Sequence, residues 1–178
     1  MTTSLRTRKP LRRMLLLALA PAAIGTTLAL TAPAPAVAGS PSTWTRPTTA
    51  RYQVSAAYGI SGTWLAGHHT GVDLAVPTGT RIRSVSSGTV VLARTSGDYG
   101  KAVTIRMSDG NYTLFGHLSR ITAHVGQKVR AGTPLGYSGA TGRAFGPHLH
   151  FEVRTARGYG SDINPRTYLA HHGVHLPR

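Results

Sequence analysis

From Arg51 onward the chain is cut into short segments rich in β-branched residues, each closed by a turn that contains glycine. "TRIRSV" and "GTVVLAR" are two of them, and "KAVTIRM" alternates, with Val103, Ile105 and Met107 on one face. Asp109-Gly110 then precedes "YTLFGHL", and that dipeptide between two such runs signals a two-residue hairpin. "TPLGYSG" and "HLHFEVR" are further strands. The one helix-like stretch is "INPRTYLAHH", with Asn164 as a cap and Pro165 in the first turn. Punctuation of this kind predicts a mainly β fold: a single antiparallel β-sheet domain with little helix.

The first 38 residues read differently. Thr3 to Arg13 carries Arg6, Arg8, Lys9, Arg12 and Arg13, and Met14 to Thr31 is an apolar run. Ala36-Val37-Ala38 fits the small-residue rule for cleavage, so residues 1–38 are expected to be a signal peptide and the protein to be secreted and cell-wall associated. Arg12-Arg13 leaves both the twin-arginine and the general secretory route open. The alternative is a retained membrane anchor, but Pro21 and the Pro/Ala-rich end argue against a stable span, so none is expected after cleavage. Residues 39–50 read as a short polar linker, 51–170 as the folded domain and 171–178 as a tail.

The charge balance narrows the partners. Removing the leader's five basic residues from the chain's 20 leaves 15 against 5 acids, a net of +10. A field of that sign favours polyanionic surroundings, and for an exported protein an anionic cell wall suits it better than nucleic acid. The chain lacks the interleaved aromatics and recognition helix of a nucleic-acid binder. There are no cysteines, so thiol catalysis, disulfides and zinc-thiolate sites are excluded. With only Asp73, Asp98, Asp109, Glu152 and Asp162 as acids, a paired-carboxylate mechanism is nearly excluded too. No G-x-S-x-G occurs, which removes the common serine-hydrolase signature.

Nine histidines among so few acids turn attention to metal and proton chemistry. His124, His171, His172 and His175 lie in a loop and in the C-terminal stretch, where solvated histidines are ordinary. His148-Leu149-His150 is different: in a strand both imidazoles face one side, roughly 6.6 Å apart, with Leu149 on the other. That suits two ligands, or one ligand beside a proton carrier, and spacing does not choose between them. Glu152 shares that face and is either an acceptor that orients a ligand or a rim charge. His69 and Asp73 are about 13 Å apart in a straight strand, too far to share an ion whose ligands lie near 2 Å. The chain must bend between them, and Gly71 is the residue that permits it. Two neutral imidazoles and one carboxylate are a zinc-like set, one short of the four donors of a closed structural site.

"HHTGVD", "LFGHLS" and "GPHLHFEV" occur in that order, with "PTGTRIRSVSSGTVV" and "VGQKVRAGTPLGYSGATG" between them. Over roughly Arg51 to Leu169 the chain resembles the lysostaphin/LytM-type zinc metallopeptidases of family M23, which cut peptidoglycan peptide cross-links. The resemblance implies a catalytic domain of that type with a substrate groove, one Zn2+ held by His69, Asp73 and His150, and peptidoglycan peptides as substrate. It places catalytic histidines at His148, as general base, and His117, as a partner for the oxyanion. No further cofactor is implied. The family commonly has tyrosine where this chain has Phe115, and neither Tyr58 nor Trp64 aligns with the tyrosine often found before the first zinc histidine. "SGATGRAFGPHLH" falls on the groove border, where its glycines either let an extended peptide lie close or form an ordinary turn. His68 is left as a groove-wall or supporting residue. Relatives that activate other hydrolases have lost ligands, whereas all five positions are present here.

Overall fold

Alternation along the strands fixes which side chains face inward. The computed structural model describes residues 43–177, so the expected signal peptide lies outside the described residues. Eleven strands and one helix follow in order: β1 (Gln53–Ala56), β2 (Val72–Ala75), β3 (Arg81–Arg83), β4 (Gly88–Thr95), β5 (Lys101–Met107), β6 (Tyr112–Leu118), β7 (Arg120–Ile121), β8 (Lys128–Val129), β9 (Pro134–Tyr137), β10 (Leu149–Arg154), β11 (Asp162–Ile163) and α1 (Pro165–His171). A 3-10 turn, Gly97–Tyr99, separates β4 from β5.

Every pairing is antiparallel. The main sheet runs β1-β2-β10-β6-β5-β4-β8, with β11 added to β10, and β3-β9-β7 form a second, smaller sheet. An antiparallel β domain with little helix was expected, and it is present, but built from two sheets. The small sheet is needed because the large one has an apolar face to cover. Ile82 and Leu135 of the small sheet are fully buried in the same cluster as Leu74, Phe115, Leu149 and Phe151. Each such side chain contributes about 2 kcal/mol by leaving water. Asn164 caps α1, its side chain accepting from the amides of Arg166 and Thr167, as its position before Pro165 predicts.

Three local expectations change. The β5–β6 hairpin exists, but its loop spans residues 108–111 rather than two residues. Only Gly110 has positive φ, so the turn is not the primed type that the dipeptide suggested; the Asp109 carboxylate instead accepts from the amide of Asn111. The segment read as a linker is docked from Thr43 onward. Thr45 donates to the Val85 carbonyl at 2.7 Å, Arg83 donates to the Pro47 carbonyl at 2.9 Å, and Pro47 and Thr48 are buried. Trp44 packs edge-on against Tyr168, an aromatic contact that polar composition conceals. Finally, Gly71 does lie at the bend before β2, but its φ is not positive. It must be glycine because a Cβ there would sit 2.6 Å from the Phe151 carbonyl oxygen and 2.9 Å from His150 Cε1. Close approach of β10 is the reason, not a left-handed backbone.

Candidate functional site

The register of β10 against β2 sets His150 directly opposite Asp73. Cross-strand partners have Cβ atoms about 5 Å apart, close enough for an imidazole and a carboxylate to meet. His150 Nδ1 lies 2.8 Å from Asp73 Oδ1. The bend at Gly71 then returns His69 to the same place: its Nε2 is 3.2 Å from Asp73 Oδ1 and 3.1 Å from His150 Nδ1. Three donors about 2.1 Å from a tetrahedral ion stand roughly 3.4 Å from one another. The observed separations are close to that value, and the chemistry of the set, two imidazoles and one carboxylate, suits zinc. Among the described residues, His69, Asp73 and His150 are the one group of histidine and acid side chains that could hold a metal.

The outer nitrogens of both histidines are committed. His69 Nδ1 donates to the Ala57 carbonyl at 2.9 Å, which leaves Nε2 for the centre of the group. His150 Nε2 donates to Glu152 Oε1 at 2.9 Å. Such partners fix ring orientation and strengthen a ligand. Burial acts to lower the His150 pKa, but the hydrogen bonds to Asp73 and Glu152 outweigh it and raise it to about 9. Burial likewise acts to raise the pKa of Asp73, and hydrogen bonds from His150 and His69 hold its carboxyl well below the usual range.

His117 and His148 stand beside this group, their rings 4.7 Å apart. Each donates Nδ1–H to a backbone carbonyl, His117 to Thr141 and His148 to Gly146, both at 2.8 Å. Each therefore keeps an Nε2 that accepts a proton when the ring is neutral. His148 Nε2 is 3.7 Å from Asp73 Oδ1. His117 is the one described non-glycine residue with positive φ, 59°, a strained conformation that costs of order 1 kcal/mol. Burial, more than its neighbours, lowers its pKa to about 4.

All five residues line one cleft of about 840 Å³. One wall is a finger, residues 57–69, folded back on itself by Gly59 N–H to the His69 carbonyl and His69 N–H to the Ile60 carbonyl, both 2.9 Å. The Trp64 ring sits 5.1 Å from that of His69. The facing loop, 139–147, carries Phe145, whose side chain is fully exposed, and Arg143 reaches from that loop to Thr63 Oγ1 at 3.3 Å.

The model of peptidase family M23 matches residues 67–165. The chain belongs to this family. It is 43% identical over 97 residues to the DD-carboxypeptidase/endopeptidase Mpg of Neisseria meningitidis, covering 54% of this chain and 22% of that protein. It is 38% identical over 99 residues to the glycyl-glycine endopeptidase ALE-1 of Staphylococcus capitis, covering 54% and 26%. The chain thus matches only about a quarter of the length of these curated relatives. The catalytic domain of lysostaphin from Staphylococcus simulans superposes with a TM-score of 0.64 at 32% identity, over 67% of this chain and 92% of that one. The lysostaphin-type resemblance and fold expected from the motifs therefore hold.

In this M23 domain the structure also brings in residues the motifs did not name. Glu152 is fully buried, which decides against a rim charge. It accepts from Thr70 Oγ1, Tyr99 Oη, Arg154 and His150. Burial acts to raise its pKa, and the hydrogen bond with His150 and the charges of His150 and Arg154 lower it to about 2. Arg154 was within reach of sequence reasoning, being two residues beyond Glu152 on the same face. Tyr99 was not, since it arrives from the 3-10 turn. The glycines of the 139–147 loop also gain a definite role. A Cβ on Gly139 would meet the Ser119 backbone, and one on Gly142 would strike the backbone of Gly100. These two serve packing within the protein, and of the loop's glycines Gly146 has open space beside it and lines the cleft.

His68 turns away from its neighbour. Its Nε2 donates to Asp162 Oδ2 at 2.9 Å and its Nδ1 to the Ala66 carbonyl at 3.0 Å. The hydrogen bond to Asp162 raises its pKa.

Proposed function

We propose that the protein is a secreted, zinc-dependent endopeptidase that hydrolyses peptide cross-links of bacterial peptidoglycan. The observation that carries this is the convergence of His69, Asp73 and His150 in the floor of a cleft with His117 and His148 beside them. The three would hold one zinc ion, whose chemistry is to polarise a peptide carbonyl and to make water a nucleophile near neutral pH.

The rest of the chemistry falls to the chain. His148, with Nδ1 tied to Gly146, offers Nε2 as the base that removes the proton from the attacking water. His117 stabilises an oxyanion only with a proton on Nε2, and burial opposes that charge. It begins neutral, therefore, and donates only after a proton has entered the histidine pair. The same proton leaves with the departing amine. Glu152 and the Ala57 carbonyl hold the two ligand rings, and the finger and the 139–147 loop hold an extended peptide between them.

Secretion rests on residues 1–38, outside the described residues, and the net positive charge of the remainder suits an anionic wall. Among the described residues no helix is long and apolar enough to cross a membrane. The test is digestion of purified peptidoglycan with and without a chelator, with mass analysis of the released fragments. New amino termini at cross-link positions that vanish with chelator and return with zinc are expected. Chelator-insensitive cleavage, or no cleavage by zinc-loaded protein, overturns the proposal.

A further inference from the structure

Of the two histidines in "HHTGVD", the one outside the metal group is tied to one of the chain's five acids. Asp162 does not line the cleft, and its side chain is almost fully buried. It stands on β11, paired through the ladder with Arg154 of β10, so its backbone is fixed to the strand that carries His150. One of its oxygens, Oδ2, accepts from His68 Nε2 at 2.9 Å and from Tyr58 Oη at 3.0 Å. Tyr58 and His68 are the two sides of the finger near its base, and their rings meet edge to face at 5.9 Å. A single carboxylate thus joins both sides of the finger to the body of the sheet. Nearer the tip, the Tyr159 hydroxyl accepts from the Ala66 amide at 3.0 Å.

What the finger presents explains why fixing it matters. Leu65 is 92% exposed at its tip, and Trp64 stands beside it over His69. Both line the cleft. Neither is held by the hydrophobic core, and the finger's own backbone hydrogen bonds close a narrow ribbon without anchoring it to the sheet. Besides the exposed Arg143–Thr63 hydrogen bond and the packing of Tyr58 on the core, its orientation is set by the contacts at Asp162 and Tyr159.

We propose that Asp162 is a positioning residue for substrate: through His68 and Tyr58 it holds the Trp64–Leu65 wall at a fixed distance from the metal group. It governs how firmly a peptide spanning the cleft is held, and it leaves the chemistry on that peptide alone. The inference rests on the endopeptidase reading for its kinetic arm and on no activity for its structural arm.

The structural arm uses the chain's two tryptophans, Trp44 and Trp64. In a Trp44→Phe background, Trp64 reports alone. Asp162→Asn is expected to raise acrylamide quenching of Trp64 about twofold, with bound zinc unchanged, because a loosened wall meets solvent more often. In the kinetic arm, KM for a cross-linked peptide is expected to rise about tenfold with kcat retained, the size of one charge-assisted hydrogen bond. If Asp162→Asn does not fold, Tyr58→Phe and Tyr159→Phe each remove one hydroxyl from the same set and are expected to raise Trp64 quenching in the same direction. Unchanged quenching overturns the proposal. So does a fall in kcat and zinc content at constant KM, which would mean that the clamp serves His69 instead of the wall. A protein without peptidase activity but with the quenching change would overturn the enzymatic reading and keep the clamp.

Discussion

The two faces of β10 are both buried, and they are buried for opposite reasons. Leu149, Phe151 and Val153 enter the apolar core, fully excluded from water. His150, Glu152 and Arg154 are almost as hidden, yet each is matched by specific partners: Asp73, Thr70, Tyr99 and one another. Dispersion and water exclusion hold the first face, and they depend on volume. Hydrogen bonds hold the second, and they depend on direction. One strand therefore carries the apolar core on one side and the proposed metal group on the other. Substitutions on the two sides should fail in different assays.

The largest effect is expected on the polar side. His150→Ala should lose zinc and reduce peptidase activity to background, while unfolding stays cooperative; the checks are metal analysis and a denaturant curve. His69→Ala should behave alike, and His68→Ala should only weaken activity. Retention of stoichiometric zinc by His150→Ala would break the assignment. On the apolar side, Phe151→Ala should cost about 3–5 kcal/mol of stability. The protein that remains folded should still bind zinc and cleave. If activity per folded molecule fell as far as in His150→Ala, the two faces would not be separable.

Smaller effects sharpen the contrast. Glu152→Gln keeps volume but removes a charge that four neighbours recognise. Zinc affinity is expected to fall about 10–100-fold, by competition with a chelating dye. The least effect lies away from both faces, where Asp109 accepts from Asn111 and from Tyr168 Oη at 2.8 Å. Burial acts to raise its pKa, but these hydrogen bonds lower it. Its contribution to stability is thus complete above the ordinary carboxylate pKa and lost as pH falls through the lowered one. Asp109→Asn should flatten that acid limb of a stability–pH curve and leave zinc affinity untouched.

Much of β10 was legible in advance because alternation is a local property. The parity of His148, His150 and Glu152 against Leu149 needs no tertiary knowledge. The motif also isolates His69 and Asp73, and the reach of a straight strand is enough to demand a bend. What stayed hidden is what distant segments supply. The role of Gly71 comes from the approach of β10, which is far off in sequence. Tyr99 meets Glu152 only because a turn between β4 and β5 folds over the site. The left-handed φ of His117 has no local signal inside "TLFGHL". The docking of Thr43 to Thr48 was masked by a composition that also describes free linkers.

The meeting of Gly100 and Gly142 bears on how members of such a family could be recombined. Both glycines have positive φ, Arg143 N–H donates to the Asp98 carbonyl, and Thr141 binds the Lys101 amide between them. A loop transplanted from a relative of different specificity would meet a surface shaped for its predecessor. The 139–147 loop and the turn that ends at Gly100 therefore form one cassette, and shuffling them separately should yield misfolded chimaeras where exchanging the pair yields working ones.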